Sequence, residues 1–367
     1  MPWRTLIEVS RRMNANEKYE AAICSAQVPE GIRHYEGLTI YTIDPSHESL
    51  LDFVKNGNWE VVFYPVSYRQ GLRSMSYLAD IPAKVIAYIP GSINPFSGEL
   101  KLIKDGFYSI VKPYLLDTLI PHRWLAKRLH KAGVDKIVCQ SPLTALDAEK
   151  HGWNRDEVFC ALPGKDIGFV ADESFVQQLG LKDQCFLLFS GAPSPVRGAL
   201  LALRAFDKVA SSIPDVKFVM LLRRDISSDF NEIDAALRSI KNTDRVITCQ
   251  ESVPREQLFG MFKAARAVLL PFLIVPSEIP LTFFEVMSYG TPIITFENGG
   301  STDYLKEGLK LARKRNQESL GEAMISICDN QKEHELLSRK AKELMDIHPT
   351  WEQTAEIWAK SISGQSA

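Results

Sequence analysis

Two carboxylates separated by six intervening residues lie in the segment 276–294, "PSEIPLTFFEVMSYGTPII". Prolines on either side of the first, Glu278, favour extended backbone and predict a loop. An apolar pattern from Thr282 predicts a short helix that carries the second, Glu285. A helix N-terminus attracts anions such as a diphosphate, and Glu285 could accept hydrogen bonds from ribose hydroxyls. Alternatively, Glu285 complements the helix dipole and Glu278 is a solvated loop charge.

Arg197 is a cation placed where it could pair with such a phosphate. In "LFSGAPSPVRGALLALRAF" a predicted strand ends at Ser190, and Arg197 precedes Gly198 at the start of the next helix. An arginine there can bind a phosphate above the helix N-terminus. The alternative is an exposed surface arginine with no ligand.

Strand-like and helical segments alternate along the whole chain and must position these residues. The runs "AAICSA", "GLTIYTI", "WEVVFYPV" and "AKVIAYIPG" are followed by one long helical stretch from Lys101 to about Lys131. A second alternating series begins at Cys185. Such alternation predicts parallel sheets with crossover helices. The expected fold is therefore α/β, with two Rossmann-like doubly wound domains facing a cleft, where ligands usually bind.

The domain boundaries follow from the same pattern. We expect an N-terminal domain over residues 1–168, completed by a C-terminal helix at 350–367. The second domain then covers residues 169–349. The polar, turn-prone segment 165–184 is expected to link the two domains.

Composition is typical of a globular protein and disfavours nucleic-acid binding. The 367 residues are 45% hydrophobic and 24% charged, with a formal net charge of −2. Nucleic acid is not an expected partner, because counterion-release binding needs a strongly basic surface. The six cysteines lack C-x-x-C spacing, the segment "MPWRTLIEVSRRMNANEK" lacks the apolar stretch typical of a signal peptide, and the sequence contains no apolar run of about eighteen residues. We therefore expect a cytoplasmic protein with reduced cysteines.

The ordered set "SGAPSPVRG", "LLALRAF", "PDVKFVML", "VPREQLFGMF" and "PSEIPLTFFEVMSYGTPIITF" resembles the C-terminal domain of retaining family 4 glycosyltransferases, within the glycosyl transferases group 1 of GT-B fold. The resemblance covers roughly residues 140–362. In that family, a glycine-opened turn with basic residues and an E-x7-E motif bind the nucleotide diphosphate-sugar donor.

The resemblance implies a role for each matching position. Arg197 takes the place of the lysine that contacts the diphosphate, in the turn that Gly191 opens. Glu285 corresponds to the glutamate that holds the ribose, and Glu278 to the one beside the donor sugar. The backbone amides of Leu281 and Thr282 would meet the sugar and the phosphates. Glu278 and Arg197 are then the catalytic candidates, and Gly191, Arg197, Leu281, Thr282 and Glu285 the donor-binding ones.

Two departures from the family pattern affect the donor site. Ala192 stands where the family has an arginine, so Arg197 acts alone or with Arg223 or Arg224. The spacing between the glutamates is x6 rather than x7, so either Glu278 is displaced from the family position or the loop is one residue tighter.

The N-terminal domain departs further. Its first segment, "MPWRTLIEVSRRM", resembles the family's first helix, so we expect that a central first strand and a glycine-rich loop are missing and that "AAICSA" and "WEVVFYPV" belong to the sheet around it. The family's acid-base histidine is also not visible, because Ile89, Pro90 and Gly91 occupy its region.

The segment "PHRWLAKRLHK" predicts a basic amphipathic helix that contains His122 and His130. Residues 122–131 could rest on the inner face of an anionic membrane, where lipid-linked acceptors reside. The alternative is a solvated basic face above a buried apolar stripe.

The resemblance implies a retaining glycosyltransferase that moves a sugar from a nucleotide diphosphate-sugar to a glycan, lipid-linked or small-molecule acceptor. No Asp-x-Asp signature is present, so we expect no metal and no cofactor. Two other functions stay open: a non-catalytic relative that binds sugar nucleotides or glycans, and a nucleotide-sugar 2-epimerase of the same fold.

Overall fold

The computed structural model describes residues 2–26, 32–91, 93–94, 96–166, 168, 170–223, 230–275 and 277–363. Arg224 and Pro276 lie outside the described residues. The strands are β1 (Ile23–Ser25), β2 (Ile32–Tyr35), β3 (Leu38–Thr42), β4 (Val61–Pro65), β5 (Lys84–Ile89), β6 (Ile137–Cys139), β7 (Val158–Cys160), β8 (Cys185–Gly191), β9 (Val216–Leu222), β10 (Val246–Cys249), β11 (Ala267–Leu269), β12 (Ile293–Phe296) and β13 (Leu309–Ala312).

Fifteen α-helices connect and cover these strands in the described part of the chain. They are α1 (Pro2–Asn14), α2 (His47–Asn56), α3 (Phe96–Lys104), α4 (Tyr108–Leu119), α5 (His122–Lys131), α6 (Pro142–Lys150), α7 (Ser174–Gln178), α8 (Ala199–Val209), α9 (Phe230–Ser239), α10 (Arg255–Ala264), α11 (Leu281–Met287), α12 (Gly299–Leu305), α13 (Gln317–Asp329), α14 (Gln331–Ile347) and α15 (Trp351–Ser363). None of the helices within the described ranges is long and apolar enough to cross a membrane.

The C-terminal domain contains a six-stranded parallel sheet of order β10-β9-β8-β11-β12-β13. Helices α8, α9 and α13 cover one face, and α7, α10, α11 and α14 cover the other. The central strand β8 is almost fully buried along "FLLF", as expected of a strand covered on both faces. The strand order reverses between β8 and β11, so the segments that follow these two strands meet at one edge. That edge is where ligands bind in open α/β sheets.

The N-terminal domain contains a second parallel sheet, of order β4-β5-β6-β7. Two parallel-sheet domains confirm the predicted fold class. The prediction that "AAICSA" and "WEVVFYPV" share one sheet is wrong for the described residues. Strand β1 instead pairs with β3, which closes an antiparallel hairpin with β2 in a separate three-stranded sheet.

The helix predicted from Lys101 to Lys131 is three helices in the structure: α3, α4 and α5. Gly106 adopts a left-handed φ of 91° between the first two, a conformation that glycine reaches at little cost. The second break lies at Ile120, which is extended because a residue before proline, here Pro121, avoids helical backbone. The predicted linker 165–184 likewise contains a helix, α7, which packs against α10.

The final helix, α15, packs against α1 and on β6 and β7 of the N-terminal sheet. Its Trp358 is 2% exposed and contacts two aromatic rings of that sheet, Phe63 and Tyr88, at centroid distances of 4.7 and 4.9 Å. The chain therefore crosses between the domains twice, once near residue 165 and again before α15. The two crossings run side by side, because Lys165 and Thr350 form a parallel bridge.

Candidate functional site

Arg197 lies in the turn that follows the central strand β8. The turn continues into Gly198, whose left-handed φ of 72° and contact with the Pro271 carbonyl leave no room for a side chain. A hydrogen bond of 2.8 Å from Leu273 N to Val196 O ties the turn to the segment after β11. Strand β8 and strand β11 therefore hold Arg197 at the point where the strand order reverses.

Gly191 and Arg197 are close neighbours in this turn. A Cβ atom on Gly191 would lie 3.3 Å from Nη1 of Arg197, so the glycine leaves room for the guanidinium group. The guanidinium carbon of Arg197 also lies 5.7 Å from the ring centroid of Phe272, within cation–π range. Nearby, Arg223 donates its backbone N–H to the Gly191 carbonyl at 3.1 Å.

Glu285 lies in α11 and belongs to a network of charged groups from both domains. Its Oε1 is 3.4 Å from Nη2 of Arg255, and the same Arg255 nitrogen donates to Asp166. Asp166 also accepts hydrogen bonds from Arg4 at 3.1 Å and from the indole of Trp351 at 2.9 Å. Burial raises the pKa of Glu285 above its ordinary value, and the positive charge of Arg255 opposes that rise. Attraction to the positive charge of Arg255 therefore positions the Glu285 carboxylate at the junction between the two domains.

The network borders two adjoining cavities. A cavity of about 190 Å³ is lined by Gly164, Lys165, Asp166, Gly168, Phe259, Leu281, Phe284, Glu285, Ser288, Tyr289 and Trp351. A more polar cavity of about 460 Å³ is lined by Arg4, Glu8, Arg11, Arg12, Glu36, Lys165, Asp166, Arg255 and Glu352. Both cavities are lined by Lys165 and Asp166. The partly apolar 190 Å³ cavity therefore continues into the strongly charged 460 Å³ cavity. Such a combination suits a ligand with both flat and anionic parts.

Glu278 is fully buried, with 0% of its surface exposed. Its Oε1 accepts a hydrogen bond from the hydroxyl of Ser141 and another of 2.6 Å from that of Thr144, both in the N-terminal domain. Its backbone N–H donates to the Pro90 carbonyl at 3.0 Å. Burial raises the pKa of Glu278 to about 7, although the two hydroxyls oppose that rise. The alternative of a solvated loop charge at Glu278 is therefore wrong.

The contact around Glu278 joins the two domains closely. Asn94 donates to the carbonyl of Val275 at 3.0 Å and accepts from its N–H at 2.8 Å. Gly300, at the start of α12, approaches so near that a Cβ on it would lie 2.6 Å from Oγ of Ser141. These contacts close the space between the domains on the side where Glu278 lies.

Five of the six predicted site residues fall into three groups, and Thr282 is described separately. Gly191 and Arg197 lie together after β8, whereas Leu281 and Glu285 line the 190 Å³ cavity. Glu278 makes its contacts with α6 of the N-terminal domain instead. Thr282 occupies the first turn of α11 and is half-buried.

Sequence reasoning missed Arg4, Asp166, Arg255, Ser141 and Thr144. Ser141 had a local signal, because it follows the strand "KIVCQ" and precedes a proline, which marks the N-cap of a helix. Arg255 also follows a proline at a helix start, as an anion-binding arginine can. Asp166 and Arg4 carry no local signal, since their shared contact joins positions 162 residues apart.

Two sequence comparisons bear on this fold. Residues 171–344 match the family described as Glycosyl transferases group 1. Lipopolysaccharide 1,2-N-acetylglucosaminetransferase of Salmonella typhimurium is 25% identical over 202 residues, which are 51% of this chain and 50% of that protein. The chain thus matches about half the length of this curated relative.

Similar solved structures extend over nearly the whole chain. Sucrose-phosphate synthase of Thermosynechococcus elongatus superposes with a TM-score of 0.72 at 14% identity, covering 97% of this chain and 91% of that one. A glycosyltransferase of Rickettsia africae gives a TM-score of 0.68 at 12% identity, covering 98% and 94%. Anabaena HepE in complex with UDP-glucose gives 0.64 at 12% identity, covering 89% and 86%. At these identities the superpositions establish the fold: this chain has the GT-B fold, and residues 171–344 of its C-terminal domain are similar to the glycosyl transferases group 1 family.

Proposed function

We propose that this protein is a retaining glycosyltransferase that takes a sugar from a nucleotide diphosphate-sugar. The acceptor is a glycan, a lipid-linked glycan or a small molecule. The observation that carries the proposal is the position of Arg197, which the turn after β8 holds at the reversal of strand order in a domain similar to the glycosyl transferases group 1 family. A fixed cation at that edge suits a phosphate group.

Each part of the donor has a matching group in the proposal. Arg197 and the backbone at Gly191 face the diphosphate, and the amides of Leu281 and Thr282 bind the phosphate and the sugar. Glu285 accepts hydrogen bonds from the ribose hydroxyls. The support for this role is that Nη2 of Arg255 lies 3.4 Å from Oε1 of Glu285, where its positive charge favours the carboxylate form.

The chemical step breaks the bond between the anomeric carbon and the diphosphate oxygen and forms a bond to the acceptor oxygen on the same face, while the proton of the acceptor hydroxyl passes to the departing diphosphate. Negative charge then develops on the departing diphosphate, and Arg197 stabilises it as a preorganised cation. Glu278 lies beside the donor sugar in this scheme. It reaches a sugar only after its hydrogen bonds to Ser141 and Thr144 open, so the proposal includes a movement between the domains.

Two observations support a non-catalytic sugar-nucleotide binder as the second candidate. Ala192 occupies the position of an expected cation, which removes part of the charge stabilisation of a leaving diphosphate. Glu278 is also buried and hydrogen-bonded to Ser141 and Thr144, whereas Leu281 and Glu285 line the 190 Å³ cavity. A binder would keep Glu285 and Arg197 in use without the chemical step.

We further propose a cytoplasmic protein that meets lipid-linked acceptors at an anionic membrane through α5. Leu125, Ala126 and Leu129 of this helix are buried, whereas Trp124 is 45% exposed beside Arg123 and Lys127. An exposed tryptophan among basic side chains is typical of membrane-surface helices.

Donor turnover separates these candidates. The purified chain is incubated with UDP-glucose or UDP-N-acetylglucosamine, release of UDP is followed over time, and the sugar anomer is read by proton NMR. A glycosyltransferase releases UDP and forms an α-product first. Tight donor binding by calorimetry without turnover would favour the binder, and an initial β-product would refute retention. Absence of both binding and turnover with every nucleotide sugar tried would refute the proposed function.

A further inference from the structure

Three side chains that the donor site does not use come together between α5 and α6. His122 is the first residue of α5, Asp147 lies in α6, and His151 follows the end of α6. We call them the His–Asp–His cluster. One ligand atom from each lies within 4.8 Å of the others.

The carboxylate of Asp147 lies between the two imidazoles. Its Oδ2 is 2.5 Å from Nδ1 of His122, and its Oδ1 is 3.3 Å from Nδ1 of His151. Asp147 and His151 are four residues apart, a spacing that puts both side chains on one face of a helix. The fold therefore gathers two nitrogens and a carboxylate from two separate helices.

Neighbouring groups hold this arrangement in place. The His122 ring stacks on Tyr68 at a centroid distance of 3.7 Å, which fixes its plane. Nδ1 of His151 also lies 2.7 Å from the Asp147 carbonyl, so this ring is held beside the same residue. Asp117 interacts electrostatically with His122 and adds negative potential. Fixed rings and extra negative charge both suit a bound cation.

We propose that the His–Asp–His cluster binds a Zn²⁺ ion. Imidazole nitrogen and carboxylate oxygen are common zinc ligands, and three protein ligands leave the fourth tetrahedral position for water. Zinc bonds of about 2.0–2.1 Å place neighbouring ligand atoms about 3.3 Å apart. The Asp147–His151 pair has that separation, and the Asp147–His122 pair reaches it by a small rotation of side chains that are 19% and 15% exposed.

The site would brace the N-terminal domain rather than take part in glycosyl transfer. Helix α6 carries Asp147 one turn after Thr144 and two turns after Ser141, the residues that bind Glu278. An ion that ties α6 to α5 would hold those hydroxyls in position. The zinc proposal does not rest on the proposed enzyme activity, since it needs only the cluster itself.

Calorimetric titration of the chelator-stripped, full-length protein with Zn²⁺ tests the proposal. We expect one ion per chain, and His122→Ala or His151→Ala should weaken binding by at least about 100-fold, because each removes a direct ligand. His130→Ala is the matched control, since His130 lies on α5 but contacts the Gly152 carbonyl instead. No binding, or equal binding by all these variants, would overturn the proposal.

Two further measurements cover other outcomes. If an alanine variant fails to fold, as judged by its circular dichroism, Asp147→Asn keeps the side-chain shape and should still lose the ion. X-ray absorption of the zinc-loaded wild type should show nitrogen and oxygen neighbours at about 2.0–2.1 Å. Sulfur neighbours at about 2.3 Å would place the ion on cysteines. Cys139 and Cys160, which are free and opposite each other on β6 and β7, are examples, and this result would overturn the proposal.

Discussion

The Glu278 carboxylate of the C-terminal domain accepts a hydrogen bond of 2.6 Å from the Thr144 hydroxyl of the N-terminal domain, in a fully buried environment. Burial disfavours the charged carboxylate by more than the hydroxyls of Ser141 and Thr144 favour it, so the neutral carboxyl is stabilised there. The contact therefore makes the junction between the domains sensitive to pH.

Stability should fall as pH rises through the range set by Glu278. Its pKa is raised from an ordinary 4.5 to about 7, so the folded state binds a proton that the unfolded state releases between these values. Protonation of Glu278 contributes about 3 kcal/mol to the free energy of unfolding. This contribution is complete below pH 4.5 and is lost as pH rises through 7. Urea unfolding of the wild type and Glu278→Gln from pH 4.5 to 8.5 measures it. The fall in unfolding free energy between pH 4.5 and 7 that Glu278 causes should be absent in the variant. Identical pH profiles for the two proteins would contradict the raised pKa of Glu278.

Gly300→Ala should destabilise the same junction. A Cβ at this position would lie 2.6 Å from Oγ of Ser141, so the domains must shift or lose hydrogen bonds. We expect a loss of about 1–3 kcal/mol in unfolding free energy, reduced by the better helix propensity of alanine. Gly91→Ala is the control, because no described atom other than those of its chain neighbours lies within 4 Å of its Cβ position. An unchanged urea midpoint for Gly300→Ala would show that the junction adapts freely.

Arg197→Ala and Glu285→Ala should each weaken binding of UDP-glucose by about 10–150-fold, the equivalent of one charged hydrogen bond of about 1.5–3 kcal/mol. Calorimetry measures the affinities, with Arg238→Ala and Glu322→Ala as controls at exposed positions of the same domain. Glu278→Ala should weaken binding less than Glu285→Ala. Unchanged affinity in both site variants would refute the donor-site assignment, and the reverse order of the two glutamates would mean that their roles are exchanged.

Transferase activity should persist in a chelator. We expect Arg197 and backbone amides, rather than a divalent ion, to stabilise the leaving diphosphate. Initial rates of UDP release with and without EDTA should agree within about twofold. A complete loss that Mg²⁺ or Mn²⁺ restores, but Zn²⁺ does not, would place a catalytic metal at the donor diphosphate.

Helix α5 should bind anionic vesicles in a salt-dependent way. Co-sedimentation with vesicles of 30–40% anionic lipid, about the composition at which basic helices adsorb, should decline between low and physiological salt. Trp124→Ala and Lys127→Glu should each reduce the bound fraction. Lys332→Glu, an exposed charge reversal on α14, should bind as the wild type does. Equal binding by all three variants would exclude α5 as the contact.

Local patterns in the sequence determined much of the fold. Apolar runs separated by turn residues indicated the strands of both domains, and the position of Glu285 followed from a helix that begins close to Thr282. Arg197 was placed after a central strand by the same reasoning. These features depend on neighbours within a few residues, so the sequence shows them directly.

Tertiary structure decided which partner each charged group meets. Glu278 is 137 residues from Ser141, and Asp166 is 162 residues from Arg4, so no local pattern reports either contact. The flanking prolines predicted a loop at Glu278 and left a solvated charge open as an alternative, yet the approach of α6 buries this side chain. The separation of β1 from β4 into different sheets is also set by strand pairing over long distances. Burial and pairing depend on how two domains pack, and that packing is a property of the folded chain as a whole.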